Sequence, residues 1–358
     1  MNNMTSKGAV CEELEGIAFF ALKNKNNVSV KITNYGLRIL ALSVPDRNGD
    51  FDNVVLGFNG MEDYLTESGQ YFGCIIGQYA NRIKNGRFNL NGKLIQLDQN
   101  EKENHLHGGL HGYHNVVWEA KVVSDSKLKF QYIFEESKTG YPGNTTVEVL
   151  YELTENNEFI ITYEAIATED TIISLTNHSY FNLKGEGNGT IEDHLVTINA
   201  NYYLSIDEHY IPNKIQRVEN LPLDLRNSRE LNDSLVSKFS QISLANGIDH
   251  CYVLKKTLND ELNYAAKVED TASGRIMKVY TTEPGVQLYT GNFLDGTLFG
   301  KSNKPYHKYA GLCLETQQFP NAPNEKEFPS PVLKANKKYT STTVYQFLVN
   351  NQLKPLKK

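Results

Sequence analysis

Leu128-Lys-Phe-Gln-Tyr-Ile-Phe134, Val147-Glu-Val-Leu-Tyr-Glu-Leu153 and Phe159-Ile-Ile-Thr-Tyr-Glu-Ala165 follow one another along the chain. In each, apolar or aromatic residues recur at every second position: Leu128, Phe130, Tyr132, Phe134; Val147, Val149, Tyr151, Leu153; Phe159, Ile161, Tyr163, Ala165. Successive side chains of a strand point to opposite faces, so this period gives one apolar face and one mostly polar face. Three such segments in a row predict an antiparallel meander with one side buried.

The same texture extends in both directions. Val28–Thr33 and Leu37–Val44 read as strands broken by Asn34-Tyr35-Gly36, and Arg87–Leu90 and Lys93–Leu97 flank Asn91-Gly92, a strong hairpin signal. Further strands are expected at Leu195–Asn199, His250–Leu254, Ala265–Glu269, Ile276–Thr282 and Thr342–Val349. Helical signals are few, and Glu230–Phe239 is the best of them. No linker composition or internal repeat divides the chain, so residues 1–358 are expected to form one large antiparallel all-β domain, with 1–15 a flexible N-terminal segment.

Composition narrows the function classes. Twenty-one Tyr and 16 Phe against one Trp favour strands. A net charge of −6 lacks the basic excess of a nucleic-acid binder. No stretch approaches the ~20 apolar residues of a membrane span, and the first fifteen residues carry no apolar signal core. The four cysteines (Cys11, Cys74, Cys251, Cys313) are scattered and read as reduced thiols, so a cytoplasmic protein without a disulfide framework is expected. The oligomeric state is left between monomer and homodimer.

Six short stretches carry chemistry. Thr176-Asn-His-Ser-Tyr-Phe-Asn-Leu183 follows a β-branched run and places His178 at a strand end, a rigid point from which to aim an imidazole. Gly77–Arg87 sets Asn81 and Arg82 between flexible turns, where the guanidinium can fork onto hydroxyls or a carboxylate. Asn104–His114 holds four histidines, His105, His107, His111 and His114, with no acidic or thiol ligand among them, which argues against a metal site. Gly108-Gly109 instead implies close backbone approach just after His107, and makes His107 a donor to a polar ligand. Asp249 opens an apolar strand, and Gln287 sits in another; either can meet hydroxyls. Glu315 lies between Leu312-Cys313-Leu314 and Thr316, so partial burial should raise its pKa and suit it to proton transfer. Taken alone, His178 and Arg82 read more plainly as a core or edge histidine and a surface arginine; Asp249 reads equally well as a strand-entry cap, and Glu315 could instead face outward on an edge strand.

Taken together these stretches resemble the aldose 1-epimerase (galactose mutarotase) family. The resemblance rests on Asn81-Arg82-Ile83, Asn104-His105-Leu106-His107-Gly108-Gly109, Thr176–Leu183, Gly247-Ile248-Asp249-His250, Pro284-Gly285-Val286-Gln287 and Leu314-Glu315-Thr316-Gln317-Gln318-Phe319-Pro320, in the family's order from about Gly36 to Leu348. It implies a β-supersandwich with a sugar cleft, with His178 as general acid and Glu315 as general base. It further implies Asn81, Arg82, His107, Asp249 and Gln287 as sugar-binding residues, with Ser179 and Tyr180 beside the acid. Gln78 stands where the family commonly has arginine. The implied partner is a monosaccharide, with no cofactor and no metal. The readings set against it are a glycosidase using Asp249 and Glu315, a sugar-phosphate epimerase needing extra cationic groups, and a non-catalytic sugar-binding protein.

Overall fold

The protein is described by a computed structural model covering residues 16–66, 70–255 and 262–350. The expected flexible segment 1–15, Cys11 within it and the lysine-rich end lie outside the described residues.

The fold is all-β, a β-supersandwich whose described strands pair antiparallel, with one isolated parallel bridge between Tyr79 and Ser174. The largest sheet has nine strands in the order Glu119–Ser124, Lys127–Phe134, Thr145–Leu153, Glu158–Ala167, Lys338–Val349, Arg275–Thr281, Asn263–Glu269, Leu195–Ile198 and Arg229–Glu230. The three alternating segments are neighbours in it: Leu128 faces Tyr151, and Tyr151 faces Ile161. Their apolar positions are buried, apart from the half-buried Tyr132, and join the main core cluster. Burying an aliphatic or aromatic side chain of this size contributes about 1.5–3 kcal/mol.

A second sheet runs Pro212–Arg217, Ala200–Ile206, Asp249–Leu254, Gly285–Tyr289, Cys313–Gln317. One face turns to the core through Tyr252, Leu254, Val286, Leu288 and Leu314. It packs onto the nine-stranded sheet, where Tyr345 donates to the Leu314 carbonyl at 3.3 Å and the hydroxyls of Thr316 and Thr343 meet at 2.5 Å. Alternation then sends Asp249, Gln287, Tyr289, Cys313 and Glu315 to the opposite face. The register sets Asp249 beside Tyr289, Tyr289 beside Cys313, and Gln287 beside Glu315. This face is buried too, because loops cover it.

Two short ladders fix those loops. Ile75–Ile76 pairs with Thr176–Asn177, and Arg82–Ile83 pairs with His105–Leu106. A four-stranded sheet, Phe19–Lys23, Ser29–Thr33, Ile39–Pro45 and Phe51–Asn53, completes the core from another side.

The expected helix over Glu230–Phe239 is shorter than its signal. It spans Leu231–Leu235, and a second helix follows at Ser240–Ala245. Between them Phe239 adopts an extended backbone and packs on the main core, so side-chain burial wins over helix continuation. The strand Glu119–Ser124 carried no periodic signal, because all six of its side chains are exposed at the edge of its sheet.

Candidate active site

The covering loops and the outer face of the five-stranded sheet enclose a cavity of about 220 Å³. That lies just below the ~300–1,000 Å³ of clefts that hold drug-sized ligands, and suits one small polar guest. Asn81, Arg82, His107, His178, Tyr180, Asp249 and Glu315, all singled out in the sequence, line it together.

His178 is held by its backbone. Its N–H donates to the Cys74 carbonyl at 2.9 Å, and its carbonyl accepts from Gly73 N–H at 3.0 Å. The rings of Tyr71, His107 and Tyr180 pack around the imidazole, with centroids 5.1–5.6 Å away. Burial in this aromatic setting lowers its pKa to about 4.

Glu315 lies in the fully buried strand Cys313–Gln317. Its Oε1 is 3.7 Å from His178 Nε2, and its Oε2 has no hydrogen-bond partner. Burial, and then the nearby charge of Asp249, push its carboxyl well above the usual carboxylate range, while Arg82 pulls the other way. The desolvation expected from its apolar neighbours is thus complete rather than partial.

Arg82 forks onto a carboxylate that the sequence had not singled out. Its Nε and one terminal nitrogen donate to the two oxygens of Glu101 at 2.9 and 2.6 Å. The guanidinium also lies over the Tyr210 ring, 4.9 Å from its centroid. Both contacts hold its plane and leave its remaining donors to point at a guest.

His107 and Asn81 are locked to each other. His107 N–H donates to the Asn81 carbonyl, and Asn81 N–H donates to His107 Nδ1 at 3.2 Å. Nδ1 therefore carries a lone pair, and the ring proton sits on Nε2 as a donor. Burial and the neighbouring charges of His178 and Arg82 keep the ring neutral. His107, His178 and Glu315 each bring one ligand-type atom within 4.8 Å of the others, but a protonated Nε2 removes His107 from any metal-ligand set. Gly108 meets the close approach expected of it: at φ +84°, a Cβ there would run into the Gly77 carbonyl.

Asp249 begins its strand and accepts from Gln287 Nε2 at 2.6 Å. Gln287 is not a lining residue; it stands behind Asp249, and its Oε1 has no partner. Ser179 is likewise not among the lining residues: its N–H donates to Asn177 Oδ1, and its buried hydroxyl is unpartnered. Gln78 donates to Thr171 Oγ1 and the Ile172 carbonyl and does not line the cavity.

The four histidines of Asn104–His114 do not converge. His105 bonds Asp98 and the Tyr141 hydroxyl, His111 is exposed, and His114 packs edge-on to Tyr71. Besides Glu101, sequence reading missed Gln70, Tyr71, Leu106, Tyr289 and Phe293. Of these, only Tyr289 carried a usable signal, since it is two residues from Gln287 on one strand and so shares its face. The remaining question is chemical. A buried acid–base pair, one fixed guanidinium and a row of oriented hydrogen-bonding groups can move a proton between two adjacent oxygens of a polyhydroxyl guest.

Comparison with known proteins agrees with this geometry. A family model described as aldose 1-epimerase matches residues 19–346. The chain is 44% identical to the galactose mutarotase of Rattus norvegicus over 325 residues, 90% of this chain and 92% of the relative. It is 33% identical to the aldose 1-epimerase of Escherichia coli strain K12 over 330 residues, 91% of this chain and 94% of the relative. Among solved structures, the GalM/aldose epimerase homologue from C. elegans superposes with a TM-score of 0.86 at 26% identity, covering 94% of this chain and 100% of the other.

Proposed function

Because the chain belongs to the aldose 1-epimerase family, we infer that it interconverts the α and β anomers of free aldoses such as galactose and glucose. The observation that carries the reading is the His178–Glu315 pair, 3.7 Å apart across a small polar cavity. Anomer exchange needs the anomeric hydroxyl to lose a proton while the ring oxygen gains one. Both oxygens are bonded to the same carbon, so the base and the acid must stand within a few ångströms of each other.

Glu315 takes the hydroxyl proton and His178 donates to the ring oxygen, which opens the ring to the aldehyde. The carbonyl end then turns over, and the pair works in reverse: His178 takes the proton back and Glu315 returns its own. Arg82, Asn81, His107 and Asp249 hold the other hydroxyls meanwhile, so the open chain stays in register. Each matched polar group also rejects a sugar that would leave it unpaired.

The charge lining the cavity favours a neutral sugar over a sugar phosphate. Among the described lining residues Arg82 is the only lysine or arginine, and its charge is balanced by Glu101; Asp249 and Glu315 supply two further carboxyl groups. A dianionic phosphate would meet net repulsion there.

Polarimetry on freshly dissolved α-D-galactose and α-D-glucose tests the reading, with wild type, buffer alone and His178→Ala. The expected result is faster relaxation to the same final rotation with wild type, and relaxation near the buffer rate with the variant. Relaxation no faster than buffer with wild type, for either sugar, would overturn it.

A further inference from the structure

We propose that Cys313 is a positioning residue for His178, its thiol holding Nδ1 so that Nε2 meets the substrate. The proposal rests on the reading of His178 as the acid and deepens it. The Cys313 Sγ lies 3.5 Å from His178 Nδ1, within the range of a hydrogen bond to sulfur, while Nε2 of the same ring faces Glu315 at 3.7 Å. The two nitrogens are thus met by residues two apart on one strand, which the pleat sets on one face. The strand that supplies the base also supplies the group that orients the acid. The surrounding rings contribute packing, the imidazole also bonds its own backbone, and the thiol is the side chain that meets Nδ1.

A thiol suits the alternation this imidazole must undergo. As imidazolium, the ring carries a proton on each nitrogen, and Nδ1–H donates to sulfur. After Nε2 has given its proton to the ring oxygen, the proton must stay on Nδ1 so that Nε2 can take one back. Sulfur accepts from Nδ1–H in both states. A carboxylate in the same place would hold the proton more tightly, but it would also stabilise the imidazolium and weaken it as an acid. Burial keeps the Cys313 group as the neutral thiol, well above its ordinary pKa.

The test combines kinetics with ring-nitrogen NMR on the full chain labelled at histidine, the His178 signals being assigned by their loss in His178→Ala. Cys313→Ala is expected to lower kcat by about three- to tenfold, the share of one hydrogen bond, with KM within about twofold. In the same variant the neutral His178 ring should shift from the Nδ1–H towards the Nε2–H tautomer. Cys313→Ser, which keeps a donor and acceptor, should restore most of kcat and the Nδ1–H tautomer. An unchanged kcat and tautomer in Cys313→Ala would overturn the proposal, as would a fall in kcat that serine does not restore. Should the alanine variant not fold, a serine variant with native fold but an altered His178 tautomer is the overturning result. Full activity in His178→Ala would instead sink the acid assignment, and the tautomer readout would still report on the thiol contact by itself.

Discussion

His178 Nε2 and Glu315 Oε1 stand 3.7 Å apart in a site that lowers the basicity of the first and raises that of the second. Both shifts have the same cause, the loss of water around a charged form. They favour a neutral imidazole beside a neutral carboxylic acid, with one proton between the two groups. The same single proton is present when the pair is imidazolium and carboxylate, so in the proposed reaction the two arrangements stand on either side of ring opening, and reclosure restores the first.

The pH dependence follows from that count. A second proton enters the pair only when His178 is protonated beside the acid form of Glu315, near pH 4. The last proton leaves only well above the ordinary carboxylate range. The profile of kcat/KM for the free enzyme should therefore have its acid limb nearer 4 than the 6.5 of a free imidazole, and its alkaline limb well above the ordinary carboxylate range. An acid limb at 6–7 would contradict the neutral pair.

Removing either member should be costly in kcat and mild in KM. His178→Ala and Glu315→Ala are each expected to lower kcat by ~10²–10⁴-fold, the usual share of a positioned acid or base. Because the two share one proton, the double variant should be little worse than the poorer single one. Multiplicative losses, read by polarimetry on galactose, would show that they act independently.

The Arg82–Glu101 fork makes a different prediction. Glu101 holds both the plane and the position of the guanidinium, and it lines the cavity without touching His178 or Glu315 through any hydrogen bond. Glu101→Ala should raise KM by roughly tenfold, the worth of a charge-assisted hydrogen-bond pair, while kcat stays within a few-fold. A loss confined to kcat would mean that Arg82 acts on the reacting atoms.

How these residues were legible, or not, follows from the range of their contacts. The meander was readable because each strand alternates over several residues, and side-chain period is a local property. His178, Glu315, Asn81, His107 and Asp249 sit in short stretches whose glycines, strand ends and apolar neighbours are also local. Glu101 is different. Its stretch, Asn100-Glu101-Lys102-Glu103-Asn104, reads as a solvated loop, and only its pairing with Arg82, 19 residues away, gives it a role. Tyr71 reaches three histidine rings at once, at 107, 114 and 178, through tertiary packing that no spacing records. Gln287 was read as a direct hydroxyl partner, but its amide is engaged by Asp249, a contact set by strand pairing.

Stability should fall on mild acidification, and the sign can be worked out group by group. Burial depresses the pKa of His107, His114, His178 and His250, the second and fourth to about 3 and the third to about 4. In the unfolded chain each would titrate near 6.5. Between those values the unfolded state binds the proton and the folded state does not, so each histidine's contribution is complete above pH 6.5 and is lost as pH falls below it. Glu315 and Asp249 act oppositely: their raised pKa values stabilise the folded state as pH falls through them, for Glu315 from well above the ordinary carboxylate range. Four groups against two leave the histidines dominant between pH 5 and 6.5, each uncancelled one contributing up to about 1.4 kcal/mol per pH unit. The thermal midpoint should therefore drop between pH 6.5 and pH 5. Calorimetry showing a rising midpoint over that interval would mean that the folded chain takes up more protons than these buried imidazoles allow.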